Sequence, residues 1–156
     1  MAKKTILIIE DEAPKRKHIE DYVVSHNRGD KFRIVSRQSV SSALDFLDDS
    51  KTDFIILDMS LPTFEISDTE NGGRPQGFGG LEVLRHLKMS GISTPTLVLT
   101  GYEAFMREEG LVELSQLSDE LKREFGMFLK DVLYYNSAYS EWKNKISVTL
   151  KTVGIY

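Results

Sequence analysis

Two four-residue runs, Ile6-Leu7-Ile8-Ile9 and Phe54-Ile55-Ile56-Leu57, contain no polar side chain, and an acid follows each at once. Runs this short do not cross a membrane, and their β-branched content favours strand over helix. They fit strands buried on both faces, the arrangement of a parallel sheet covered by helices on its two sides. Phe32 to Val35 and Thr96-Leu97-Val98-Leu99 supply two more strands, and a fifth lies somewhere in residues 127–135. Between the runs, apolar residues recur at helical spacing: Ile19, Tyr22, Val23 and His26; Val40, Ala43, Leu44 and Leu47; Leu81, Leu84 and Leu87. Strands alternating with amphipathic helices predict an α/β fold, a doubly wound five-stranded parallel sheet with right-handed crossovers.

A length of 156 residues suits one domain spanning the whole chain. The absence of cysteine excludes disulfides and thiolate metal sites, and a net charge of -4 argues against a nucleic-acid-binding face. The longest apolar run near the start, Ile6 to Ile9, is too short for a signal-peptide core, so the default location is cytoplasmic. Two stretches depart from the regular pattern. Residues 63–79 form a polar, glycine-rich loop with Glu65, Asp68, Glu70 and Arg74, long enough to be either a tolerated insertion or a functional segment. Residues 103–130 carry Leu114, Leu117, Leu121, Phe125 and Phe128 at helical spacing, which predicts an extended fourth-helix region of one or two helices, the second starting near Ser118.

Smaller features receive structural readings. Pro14 suits a first helical turn, with Asp11 or Glu12 placed as cap or dipole partner. Lys15-Arg16-Lys17 reads as a solvated helix face, and Trp142 as core of a last helix that starts near Ser137 or Ser140 and also buries Ile146 and Leu150. His18, His26 and His86 lack metal-ligand spacing, and the glycines at 72, 73, 77, 79 and 80 do not form a phosphate-binding loop.

In a parallel sheet of this type ligands bind at the carboxyl ends of the strands. Glu10 and Asp11 follow the first strand, Asp58 follows the third and Thr100 closes the fourth, so all four belong to that edge. Gathered carboxylates repel unless a cation shares them, and Mg2+ accepts carboxylates together with waters and phosphate oxygens. The set therefore suits phosphoryl transfer, which asks a protein mainly for positioning and charge stabilisation.

These residues resemble the receiver domains of two-component response regulators, which have a flavodoxin-like fold. Ile6 to Glu12 is similar to the family's first strand and acidic pair, and Phe54 to Pro62 to its phosphoacceptor strand and turn. Gly79-Gly80-Leu81-Glu82-Val83-Leu84 looks like the start of its third helix, and Leu97 to Tyr102 like its fourth strand with the switch hydroxyl. The resemblance implies that Asp58 accepts a phosphoryl group from a histidine kinase or phosphotransfer protein, with Thr100 as the switch. It implies Mg2+ on Glu10, Asp11, Asp58 and the backbone carbonyl of Ser60, and self-phosphorylation with slow self-dephosphorylation in place of enzyme turnover. The family's lysine at the end of the fifth strand is the point of departure. Either Met127 to Lys130 is that strand, with Lys130 as the cation, or Asp131 to Tyr135 is, with Tyr135 in the lysine's place; the second register leaves the shorter connection to the Trp142 helix.

Two rivals stand beside a phosphorylatable receiver. A pseudo-receiver would keep the fold as a phosphorylation-independent interaction module, in line with the altered lysine position. A phosphatase-like hydrolase would want a second acid two residues after its aspartate, where this chain has Ser60.

Overall fold

The computed structural model describes residues 3–64, 78–107 and 110–155. The five expected strands form one sheet: β1 (Lys4–Ile9), β2 (Phe32–Arg37), β3 (Phe54–Leu57), β4 (Thr96–Thr100) and, last in the chain, β7 (Leu129–Tyr134). Their order is β2-β1-β3-β4-β7, with every neighbouring pair parallel. The chain therefore winds outward from β1 in one direction and then reverses, which leaves a crevice at the carboxyl edge between β1 and β3.

Strand alternation divides the core in two. Leu7, Ile9, Ile55, Leu57 and Val98 face helices α2 (Val40–Asp49), α3 (Gly79–Met89) and α4 (Leu114–Phe125). Ile6, Ile8, Phe54, Ile56, Leu97 and Leu99 face α1 (Ala13–Val24) and α5 (Glu141–Thr152). Both sides of β3 are thus desolvated, which is why its sequence lacks alternation. Trp142, Ile146 and Leu150 are buried from α5, with Ser140 at its N-cap position.

The stretch 103–130 folds differently from expectation. Its first part is an antiparallel pair, β5 (Ala104–Arg107) and β6 (Gly110–Glu113), and only its second part is helical. The cause is a two-residue period: Phe105 pairs with Val112 and both are buried, while Met106 pairs with Leu111 and both are exposed. Gly110 adopts a φ of 120°, open to glycine and strained for other residues. A single helix follows, with Leu117, Leu121 and Phe125 buried, and Ser118 lies inside it instead of starting a second one.

The long loop expected at 63–79 falls mostly outside the described residues, which include neither Glu65, Asp68, Glu70 and Arg74 nor the glycines at 72, 73 and 77. Both of its ends are defined. The carbonyls of Pro62 and Thr63 accept the amides of Val40 and Ser41 at 2.9 Å, tying the loop's base to the N-terminus of α2. At the far end α3 packs backbone to backbone against the turn after β3. A Cβ on Gly79 would lie 2.1 Å from the Leu61 carbonyl oxygen, and one on Gly80 would lie 2.5 Å from that of Asp58. No helix among the described residues is long and apolar enough to cross a membrane.

Candidate functional site

Sheet register assembles the site. Ile9 is paired with Leu57 and Leu57 with Val98, so the residues one step further, Glu10, Asp58 and Leu99, come level at the carboxyl edge. The Asp58 amide donates to the Ile9 carbonyl at 3.0 Å, which fixes the aspartate beside β1. Glu10, Asp11 and Asp58 each place a carboxylate oxygen within 4.8 Å of the other two. Glu10 and Asp58 are 2% and 5% exposed, while Asp11 opens toward solvent. Glu10 also holds the chain leading into α1: its Oε2 accepts the Glu12 amide at 3.1 Å, whereas Glu12, at the N-cap position, makes no side-chain cap of its own.

The charge opposite these acids comes from an unexpected place. Lys15, in the first turn of α1, is 3% exposed, so the Lys15-Arg16-Lys17 run is not wholly a solvated face. Its Nζ lies 2.6 Å from Glu10 Oε1 and 3.2 Å from Asp58 Oδ1, and it donates to the Leu99 carbonyl at 2.6 Å. Buried residues of α1 are Lys15, Ile19 and Val23, spaced four apart on one stripe. Running that stripe backward from the two apolar residues locates Lys15 in the sequence. The basic run hides it: Lys17 faces outward and Arg16 is half-buried, its guanidinium donating to the Glu10 and Asp11 carbonyls at 3.2 and 3.3 Å.

Electrostatics follow from burial. Desolvation, reinforced by the charge on Asp58, pushes Glu10 from 4.5 up to about 8 against the opposing pull of Lys15. Asp11 is raised by the same two causes in the same order. Burial pulls Lys15 down, but Asp58 and Glu10 more than offset this and leave it above its ordinary value. With all groups ionised, three carboxylates against one ammonium leave two negative charges in excess, which one divalent cation cancels. All the acid donors are hard oxygens, as Mg2+ requires. The Ser60 hydroxyl oxygen, two residues past Asp58, is buried without a hydrogen-bond partner. On charge and donor type, these residues fit such an ion.

Thr100 is fully buried at the end of β4, and its Oγ1 accepts the Tyr102 amide at 3.3 Å. The fifth-strand ambiguity resolves toward the second register: Thr100 pairs with Tyr134, and the Tyr135 amide donates to the Thr100 carbonyl at 2.7 Å. Tyr135 therefore occupies the strand-end position, and Lys130 is exposed near the strand's start. The Tyr135 ring centroid is 5.6 Å from Lys15 Nζ, and its hydroxyl shares a 2.9 Å hydrogen bond with His18 Nδ1. His18, Tyr135 and Trp142 pack ring against ring behind the lysine.

A five-stranded parallel sheet in this order, with an acidic cluster at its carboxyl edge and a threonine closing β4, defines a response regulator receiver domain. The chain belongs to the response regulator family. The Detocs response regulatory protein DtcB of Vibrio alginolyticus is 33% identical to it over 150 residues, covering 94% of this chain and 99% of that protein. No protein-family model matches the chain. Among solved structures, the receiver domain of the Francisella response regulator 1452 superposes with a TM-score of 0.63 at 15% identity, covering 97% of this chain and 96% of that one. Response regulator TrrA of Thermotoga maritima, in complex with Mg2+-BeF, gives a TM-score of 0.59 at 17% identity, covering 96% and 98% of the two chains.

Proposed function

We propose that the protein is a phosphorylatable receiver of a two-component phosphorelay, accepting a phosphoryl group on Asp58 and signalling through a changed protein-binding surface. The observation that carries this is the convergence of Glu10, Asp11 and Asp58 from the ends of two adjacent strands. A carboxylate oxygen of Asp58 would form the new P–O bond as the P–N bond of a donor phosphohistidine breaks. The displaced imidazole nitrogen would keep the electron pair, and water would later hydrolyse the acyl phosphate slowly. Glu10, Asp11, Asp58 and the Ser60 carbonyl would hold Mg2+, which when bound would draw charge from the phosphoryl oxygens. Support for the ion comes from the hard-oxygen donor set here and from the Mg2+-BeF complex of TrrA.

This chain's own residues orient the nucleophile. The Ile9 carbonyl holds the Asp58 amide, and burial keeps competing water away from the carboxylate. The buried Thr100 hydroxyl would exchange the Tyr102 amide for a phosphoryl oxygen, moving the start of the segment that leads into the β5–β6 hairpin. A histidine kinase or phosphotransfer protein is the expected donor, and a protein the expected target, with no direct role for nucleic acid or membrane. A cytoplasmic location goes with this reading.

A small-molecule phosphodonor with Mg2+ tests it. The protein should gain about 80 Da, one phosphoryl group, on Asp58, and Asp58→Asn should gain none. Label on another residue, or no label with several donors, would sink the proposal. One observation favours the pseudo-receiver alternative: Lys15 already provides a counter-charge to Glu10 and Asp58. Under that alternative, partner binding would be indifferent to Mg2+, phosphodonor and Asp58→Asn alike.

A further inference from the structure

We propose that Lys15, delivered from the first turn of α1, is the residue that binds the phosphoryl group on Asp58, and that the Tyr135 ring holds its ammonium in position. The proposal rests on the phosphorylation reading above and adds to it the identity and origin of the cation. Lys15 is the one buried basic side chain among the described residues, and its Nζ is 3.2 Å from the Asp58 oxygen.

Helix stability does not explain a lysine at this position. A helix N-terminus carries partial positive charge, so its first turn disfavours a cation. Ion-pair stability explains it poorly too, because a buried pair is often no better than an apolar side chain of similar size. Anchoring explains it well. The ammonium donates to the Leu99 carbonyl at 2.6 Å and to Asp58 at 3.2 Å, and it forms an ion pair with Glu10 at 2.6 Å. Phosphorylating Asp58 removes its charge and adds a dianionic group with three acceptor oxygens at the same place. The donor now aimed at Asp58 would transfer to one of those oxygens while the other two interactions keep the amine in place. Tyr135, whose ring centroid is 5.6 Å from Nζ, fills the strand-end position and faces the ammonium as a cation–π partner.

Beryllofluoride with Mg2+ serves as the phosphoryl probe, read by fluorine NMR, with Mg2+ affinity measured separately by calorimetry. The wild type should bind both. Lys15→Met should bind Mg2+ at least as tightly, having lost a neighbouring cation, yet lose about tenfold to hundredfold in beryllofluoride affinity, the worth of one charged hydrogen bond. Adding Tyr135→Lys to Lys15→Met should recover most of that loss by supplying the amine from the strand. In the wild type, the Lys15 ammonium resonance should move on beryllofluoride addition beyond its position with Mg2+ alone, a readout independent of any variant's folding. Unchanged beryllofluoride affinity in Lys15→Met, or an unmoved lysine resonance, overturns the role of Lys15 and leaves phosphorylation standing. Mg2+ binding that appears only in Lys15→Met overturns it in a different way, marking the lysine as a substitute for the ion. A wild type that takes up neither beryllofluoride nor phosphate removes the phosphorylation reading itself.

Discussion

Raising the pH from about 6 to about 8 removes a proton from Glu10 that a divalent cation would otherwise have to displace. The magnitude follows from burial, which, ahead of the Asp58 charge, lifts this carboxyl from 4.5 to about 8. A site that binds Mg2+ through the ionised form has an affinity scaled by the ionised fraction. That fraction is roughly 1% at pH 6 and about half at pH 8, a gain of about fiftyfold; a carboxyl titrating one unit lower would still give about tenfold. Calorimetry in two buffers of different ionisation enthalpy measures both consequences. Affinity should climb across this range, and near pH 7 each Mg2+ bound should release about 0.9 proton. The linked effect on stability has a definite sign. Because Glu10 is raised on folding, its contribution favours the fold fully below 4.5 and is lost as pH climbs through about 8. The metal-free wild type should therefore lose stability over that window relative to Glu10→Gln. Mg2+ affinity that is flat with pH, or binding without proton release, would refute the reasoning.

Other predictions concern packing and the switch. Gly80→Ala would place a Cβ 2.5 Å from the Asp58 carbonyl oxygen and 2.7 Å from Met59 Cα; it should destabilise by about 1–3 kcal/mol in denaturant unfolding, and wild-type stability would mean α3 does not press on the turn. Thr100→Val leaves the Tyr102 amide without its acceptor; it should lose about 1 kcal/mol and take up phosphate while failing to change affinity for a partner that reads the hairpin segment, so a full response there would dismiss the hydroxyl as switch. Phe105→Ala empties a fully buried position on the hairpin; a loss of about 3–5 kcal/mol is expected, and less than about 1 kcal/mol would show the hairpin to be peripheral.

The sheet was legible because its central strands are covered on both faces, which removes polar residues from the sequence at Ile6 to Ile9 and Phe54 to Leu57. The acid positions were legible for a related reason: a strand that must end in solvent at a known edge places its next residue there. Other elements were hidden by competing periods. Phe105, Val112, Leu117 and Leu121 mix strand and helix spacing within one stretch, and a helical template applied throughout absorbs the hairpin. Gly79 and Gly80 match a helix start by resemblance, but their physical reason, the approach of α3 to the backbone of the β3 turn, depends on tertiary distance. Lys15 is hard to see in the sequence because its charge points to solvent and its position to the core. Its place four residues before Ile19 assigns it to the buried stripe, and its charge makes that assignment informative.

A phosphoryl-binding lysine on α1 would also change which parts of the fold sense the site. An amine on the strand-end connection would tie the phosphoryl group to the start of α5. An amine on α1 would tie it to the helix whose buried stripe continues through Ile19 and Val23 into the core shared with α5. Tyr135 bridges the two, with its ring beside Lys15 and its hydroxyl on His18 of α1, and Trp142 of α5 packs against both Tyr135 and His18. Any displacement of the ammonium on phosphorylation would therefore act on aromatic side chains joining α1 to α5, while Thr100 would act separately on the segment entering the hairpin. On the proposed phosphorylation, that geometry would give two mechanically distinct outputs from one charge change. They separate experimentally, because Lys15→Met and Thr100→Val should each silence only one of them.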